Sequence, residues 1–155
     1  MPNDFLPEPL PASPMQSFLD WFADARRRAL QPNPDAMVLA SVGADSRPAA
    51  RVVLCKHIDP DGCLMFFTNY ESRKGRELPE HPRAAAVIHW DMLHRQVRIE
   101  GPVARSPAAE SDEYFATRAL ASRIGAWASR QSQPLASRAA LTQAGDRVSE
   151  QYGID

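Results

Sequence analysis

The chain has 155 residues with a formal net charge of −1, of which 44% are hydrophobic and 24% charged, the mixture of one globular domain rather than of a disordered or fibrous chain. So small a net charge excludes a strongly basic nucleic-acid binder. No apolar run reaches the roughly 18 residues of a membrane span, and two cysteines, Cys55 and Cys63, are too few for a disulfide framework or a four-thiolate zinc site. Met1 to Pro14 lacks the charged start and apolar centre of a secretory signal, so a reducing cytoplasm is the expected setting. Among the 18 basic residues only Lys56 and Lys74 are lysines, which gives each of those positions weight.

Residues 1–12, with Pro2, Pro7, Pro9 and Pro11, read as a flexible N-terminal tail ahead of a domain over 13–155. Ser13-Pro14-Met15-Gln16 reads as a helix start, with Ser13 capping, Pro14 in the first position and Gln16 reaching back. Phe18, Trp21, Phe22, Ala25 and Ala29 follow as one apolar stripe. Arg26, Arg27 and Arg28 suit a solvated C-terminal helix end, and Gln31-Pro32-Asn33-Pro34 stops the helix. The pattern then turns to strands. Met37–Val42, Ala49–His57 and Cys63–Thr68 predict an antiparallel meander with turns at 43–46 and 59–62. Ser72–Leu78 predicts a short helix ending near Pro79, and Ala84–Trp90 and Gln96–Ala104 predict two more strands. Ser106-Pro107 opens a helix to Arg118, a helical turn covers Ile124–Ser129, and a last helix covers Ser137–Gln151. This order predicts an α+β fold with a small antiparallel barrel.

Four places carry chemistry. In Arg51–Lys56, alternation puts Arg51, Val53 and Cys55 on one face and Val52, Leu54 and Lys56 on the other. Cations on so apolar a strand are costly to bury without an anion; the alternative is that both sit at strand ends and reach water. In Thr68–Lys74, Ser72 is a candidate cap with Arg73 and Lys74 in the first helical turn. Cations are unfavourable there unless an anion such as phosphate binds; an exposed helix start with indifferent charges is the alternative. In Arg95–Gly101, Gln96 is a candidate ligand-facing donor on an otherwise ordinary half-exposed strand. Tyr114 and Arg118, four apart on one helix face, form with Ser122 a candidate phosphate cluster, or else a core tyrosine and a surface charge. The patterns GxxxxGKS/T, GxGxxG and HExxH are absent. The four histidines have no metal spacing, and a meeting of Cys55 with His89 would be a weak nucleophile signal.

These stretches, in this order, resemble the pyridoxine/pyridoxamine 5′-phosphate oxidase family. The residues that carry the likeness are Arg51–Lys56 followed by His57, Thr68-Asn69 then Ser72-Arg73-Lys74, Trp90 then Arg95-Gln96-Val97, and Tyr114-Phe115 then Arg118. The run from Ser122 to Ser132 is the most specific piece, and the likeness extends over Phe18 to Leu141. The resemblance implies an α+β Greek-key, FMN-binding split β-barrel that forms a homodimer with FMN in a groove between subunits. It implies FMN phosphate contacts from Arg51, Arg73, Lys74 and Ser132. Val52, Val53, Leu54, Phe67 and Thr68 would lie along the flavin, and Gln96 and Gln131 would hydrogen-bond it. Phe67 stands where some relatives carry Tyr. Lys56, Tyr114, Arg118 and Ser122 would hold the 5′-phosphate of the substrate.

The implied activity is FMN-dependent oxidation of pyridoxine or pyridoxamine 5′-phosphate to pyridoxal 5′-phosphate. A hydride leaves C4′ for the flavin, O2 takes the electrons and leaves as H2O2, and an amine substrate leaves an imine that water hydrolyses to the aldehyde and ammonia. No general base and no metal is implied. The family continues past its last helix with a Trp-Gly-Gly-Phe-Arg-like and an Arg-Leu-His-Asp-Arg-like segment, which this chain, ending at Asp155, does not carry. The sequence is then either a fragment or a shortened relative, and for a C-terminally shortened chain weaker FMN binding and slow or absent turnover are expected. A split-barrel flavin or pyridoxal-phosphate binding protein without turnover is the alternative. A small-molecule substrate and a cytoplasmic location, with no nucleic acid and no membrane, complete the expectation.

Overall fold

The computed structural model describes Leu6 and residues 8–153, so residues 1–5 and 7 of the expected tail lie outside the described residues. The chain forms two compact units: the residues through Phe67 together with Arg83–Pro102, and Thr68–Pro82 together with the chain from Val103 onward.

The first unit holds helix α1 (Pro14–Arg28) and strands β1 (Ala36–Val42), β2 (Pro48–Ile58), β3 (Leu64–Phe66), β4 (Arg83–Trp90) and β5 (Arg95–Pro102). They make one antiparallel sheet in the order β3-β2-β1-β4-β5. The expected meander of the first three strands is present, and β4 then crosses to pair with β1 on its free side, Val38 opposite Val87. β3 is shorter than the expected Cys63–Thr68, and β5 stops at Pro102, short of Ala104. A 3₁₀ turn over Asp91–Leu93 joins β4 to β5, with His94 in the left-handed region at φ 51°.

α1 begins as its capping residues dictate: Ser13 Oγ accepts from Met15 N at 3.3 Å, with Pro14 in the first turn. Gln16 does not reach back; its amide donates to Asp20 Oδ1, one turn ahead, at 2.9 Å. Phe18, Phe22 and Ala25 are buried, and Phe22 meets Trp90 edge-on with ring centroids 6.2 Å apart. Met37, Leu39, Val53, Cys55, Ile58, Ala86, Ile88, Trp90 and Leu93 are buried with them. Trp90 is fully buried, and its indole N–H donates to the Pro34 carbonyl at 2.7 Å, the partner a buried indole needs. Arg95 lies over the Trp21 ring at 5.1 Å and pairs with Asp24 at 2.9 Å, tying β5 to α1. Arg27 and Arg28 bond the same carboxylate, and Arg26 lies over Phe22. The opposite sheet face is open: Val38 and Val52, directly paired, are 42% and 64% exposed.

The second unit holds α2 (Arg73–Glu80), α3 (Ala108–Thr117), α4 (Leu120–Ala128) and α5 (Arg138–Tyr152). Ser72 and Ser137 cap α2 and α5 by accepting from Gly75 N and Ala140 N. α2 ends at Glu80, near Pro79 as expected, with Pro79 in its final turn, where a missing N–H costs one bond rather than a run of them. α3 starts after Pro107, with no side-chain cap from Ser106, and α4 starts at Leu120, ahead of the expected Ile124, also without a capping side chain. Trp127 lies between Phe115, stacked at 5.8 Å, and Tyr152, tilted at 4.2 Å. None of the described helices is long and apolar enough to cross a membrane.

Trp90→Phe removes the donor to the Pro34 carbonyl and leaves a void beside Phe22. It is expected to cost about 2–4 kcal/mol of stability, read as a lower urea midpoint at an unchanged slope.

Candidate functional site

The segment from Thr68 to Glu80 gathers most of the polar groups that are buried. Ser72 is fully buried, and its hydroxyl uses all three of its hydrogen-bonding positions. It donates to Asn69 O at 2.6 Å and accepts from Gly75 N at 3.3 Å and from Lys74 Nζ at 3.2 Å. Lys74 is only 7% exposed, and its ammonium also donates to Gln131 Oε1 at 2.9 Å. The first turn of α2 runs so close to the preceding loop that a Cβ on Gly75 would lie 2.3 Å from Tyr70 O and 2.6 Å from Asn69 O. Only glycine fits there. Arg73 Nε pairs with Glu77 Oε1 at 2.6 Å, one turn along α2, and Glu77 is itself buried. Thr68 Oγ1 is buried and has no hydrogen-bond partner among the described residues. Ser132, beside Gln131, takes φ 68°, and both residues are exposed.

Tyr114 is half-buried in α3, and Arg118 caps its C-terminus with the guanidinium 5.9 Å from the Phe115 ring centroid. Ser122 is exposed within α4 rather than in the loop expected before a helical turn. Tyr70, Glu71, Arg76, Arg130 and Gln133 line an open cavity of about 490 Å³, and Arg105 lies over the Tyr70 ring at 4.5 Å.

In the sheet unit, Arg51 lies on the same strand face as the buried Val53 and Cys55, as alternation predicts. It does not run out to water: its guanidinium donates to Leu39 O at 3.3 Å and to Ser41 Oγ. Val52 is exposed, Leu54 is half-buried, and Gln96 is exposed opposite His89. Phe67, following β3, is half-buried. Cys55 faces Phe66 while His57 faces Met65, so Lys56 is the extra residue of a β-bulge. The bulge shifts the phase of β2, and Ile58 rather than His57 is buried. Lys56 Nζ is held by Asp35 Oδ2 at 2.9 Å.

Asp35, Glu77 and Gly75 were not singled out by sequence reasoning, and Ser72 was singled out only as a helix cap. Asp35 could have been found from the hairpin register. With the turn after Val42 placed, Ala36 pairs with Leu54, and the next step puts Asp35 beside Cys55, where its carbonyl accepts from Cys55 N at 2.8 Å.

Cys55 and His89 do not form a nucleophile pair. The Cys55 thiol is fully buried and donates to His57 O, and burial, with Asp35 adding, pushes its pKa up to about 11. No group of three metal-ligating side chains occurs among the described residues. Cys63 is exposed, and Asp59 raises its pKa. A thiol reagent at pH 8 is therefore expected to modify Cys63 alone in the native protein and Cys55 only after unfolding, with Asp59→Asn speeding the Cys63 reaction by lowering its pKa. Time-resolved titration of the two thiols checks this.

The profile of the family described as pyridoxamine 5′-phosphate oxidase matches residues 23–152. A pyridoxine/pyridoxamine 5′-phosphate oxidase of Burkholderia lata is 54% identical over 140 residues, covering 90% of this chain and 64% of the relative. One of Thermosynechococcus vestitus is 55% identical over 140 residues, covering 90% and 65%. The chain thus spans a little under two thirds of the length of these curated relatives. Among solved structures, PhzG from Burkholderia lata, in complex with tetrahydrophenazine-1-carboxylic acid, superposes with a TM-score of 0.84 at 28% identity, over 98% of this chain and 73% of that one. A pyridoxamine 5′-phosphate oxidase-related, FMN binding protein from Nostoc punctiforme shares the fold at a TM-score of 0.64 and 18% identity, over 84% and 70%. The expected α+β split β-barrel with flanking helices is therefore the fold, and the chain belongs to the pyridoxamine 5′-phosphate oxidase family.

Proposed function

We propose that the protein is an FMN-dependent oxidase of pyridoxine or pyridoxamine 5′-phosphate, yielding pyridoxal 5′-phosphate with O2 as electron acceptor. The observation that carries this reading is the buried Lys74 ammonium at the start of α2, held by Ser72 and Gln131. A phosphate at this helix N-terminus would meet the backbone N–H groups and add a charge-assisted partner to the ammonium. The residues present fit a flavin nucleotide: the unpartnered Thr68 hydroxyl is a ready polar contact, and the exposed Gln131 and Ser132 add two more.

In this reading Lys74, Arg73, Ser132 and Arg51 bind the FMN phosphate. Val52, Val53, Leu54, Phe67 and Thr68 contact the flavin, and Gln96 and Gln131 hydrogen-bond it. Lys56, Tyr114, Arg118 and Ser122 hold the substrate phosphate. What FMN supplies when bound is acceptance of a hydride from C4′ and delivery of the electrons to O2 as H2O2. The protein's share is orientation and charge. A homodimer belongs to the same proposal, supported by the open apolar Val38–Val52 face. So does a cytoplasmic setting, supported by the two free thiols.

The test is FMN titration of the full chain by flavin fluorescence, followed by peroxide release on adding pyridoxamine 5′-phosphate. Lys74→Met is expected to weaken FMN binding about tenfold or more. Absence of flavin uptake, or uptake unaltered by Lys74→Met, overturns the proposal. Flavin uptake without peroxide leaves a binding protein. Oxidation of tetrahydrophenazine-1-carboxylic acid, the ligand of the PhzG structure, in preference to pyridoxamine 5′-phosphate reassigns the substrate.

A further inference from the structure

Lys56, the cation assigned above to the substrate phosphate, carries a counter-ion of this chain's own. Its ammonium lies 2.9 Å from Asp35 Oδ2, with the two side chains 29% and 17% exposed. Both partners are built into the backbone. Lys56 is the extra residue of the β2 bulge, a device that re-aims a side chain. Asp35 directly precedes β1 and is pinned by its carbonyl to Cys55 N at 2.8 Å and by the neighbouring turn bond from Ala36 N to Asn33 O at 3.1 Å. Neither end of the ion pair hangs on a mobile loop tip. A partly buried pair of this kind is screened less than a surface one.

We infer that Asp35 is a specificity-determining residue of the substrate site, one that sets how much negative charge Lys56 accepts from a ligand. This inference rests on the reading that Lys56 meets the substrate phosphate. An incoming dianion approaches a lysine whose charge is already balanced, and it meets the Asp35 carboxylate as well as the ammonium. Part of the Lys56 attraction is cancelled by repulsion from a like charge only a few ångströms further away. A ligand with one negative charge loses less from that repulsion than one with two. Asp35 therefore lowers affinity for the phosphorylated substrate and narrows the gap between phosphorylated and less charged ligands. Removing the carboxylate leaves Lys56 with its full charge to give.

The experiment is calorimetric titration of the full FMN-loaded chain with pyridoxamine 5′-phosphate, and with pyridoxamine as the uncharged-arm control. Wild type, Asp35→Asn and Lys56→Gln are compared, with Asp35→Ser as a second uncharged variant in case one of the two misfolds. Both Asp35 variants are expected to bind pyridoxamine 5′-phosphate about five- to tenfold more tightly than wild type. Pyridoxamine binding should not change, and Lys56→Gln should weaken only the phosphorylated ligand. If Lys56→Gln weakens phosphate binding while the Asp35 variants bind equally or less tightly than wild type, Asp35 is a structural brace and the inference is overturned although the Lys56 reading stands. If Lys56→Gln binds pyridoxamine 5′-phosphate as wild type does, the Lys56 reading fails and takes the inference with it.

Discussion

An ammonium withdrawn from water must be met by oxygens, and the loop before α2 is arranged around that demand. Ser72 closes the loop onto Asn69, caps the helix at Gly75 and accepts from Lys74 with one hydroxyl. Gly75 lets the first turn pass against the carbonyls of Asn69 and Tyr70, which no larger residue allows. Gln131, 57 positions on, supplies the second oxygen to Lys74. Capping, close approach and cation burial are one arrangement here, so none of the three can be altered without the other two.

The sheet unit solves a different problem. Its inner face is filled by aromatic and aliphatic side chains from α1 and three strands, closed by the Trp90–Pro34 bond. Its outer face stays apolar but open at Val38 and Val52. β2 serves both faces. It carries Arg51 on the core side against Ser41, exposes Val52 on the other, and then breaks its own alternation at Lys56. The bulge separates the lysine from the regular pleat and hands it to Asp35.

Much of this was legible in the residues alone. Ser13-Pro14 with Phe18, Phe22 and Ala25 marks α1, because capping and helical periodicity agree there. The alternation of β2 is readable as far as Cys55 and fails beyond it, because a bulge leaves no mark in composition. α4 begins at Leu120 without a capping side chain, so its first turn had no local signal. His94 takes a left-handed backbone that usually announces itself with glycine or asparagine. The lysines stood out by rarity, but the partner of Lys56 did not. Asp35 lies 21 residues from Lys56, and Asp24 lies 71 from Arg95. Ion pairs that close across a fold depend on register and crossover, which are tertiary facts.

The scarcity of lysine has a chemical side. If the product is pyridoxal 5′-phosphate, the protein makes an aldehyde that condenses with primary amines. Its two side-chain amines are poor targets: that of Lys74, in the first turn of α2, is buried and bonded to Ser72 and Gln131, and that of Lys56 is clasped by a carboxylate. The remaining basic residues are arginines, whose guanidinium stays protonated and does not form that adduct. On that reading, few of the chain's own groups would condense with what it releases.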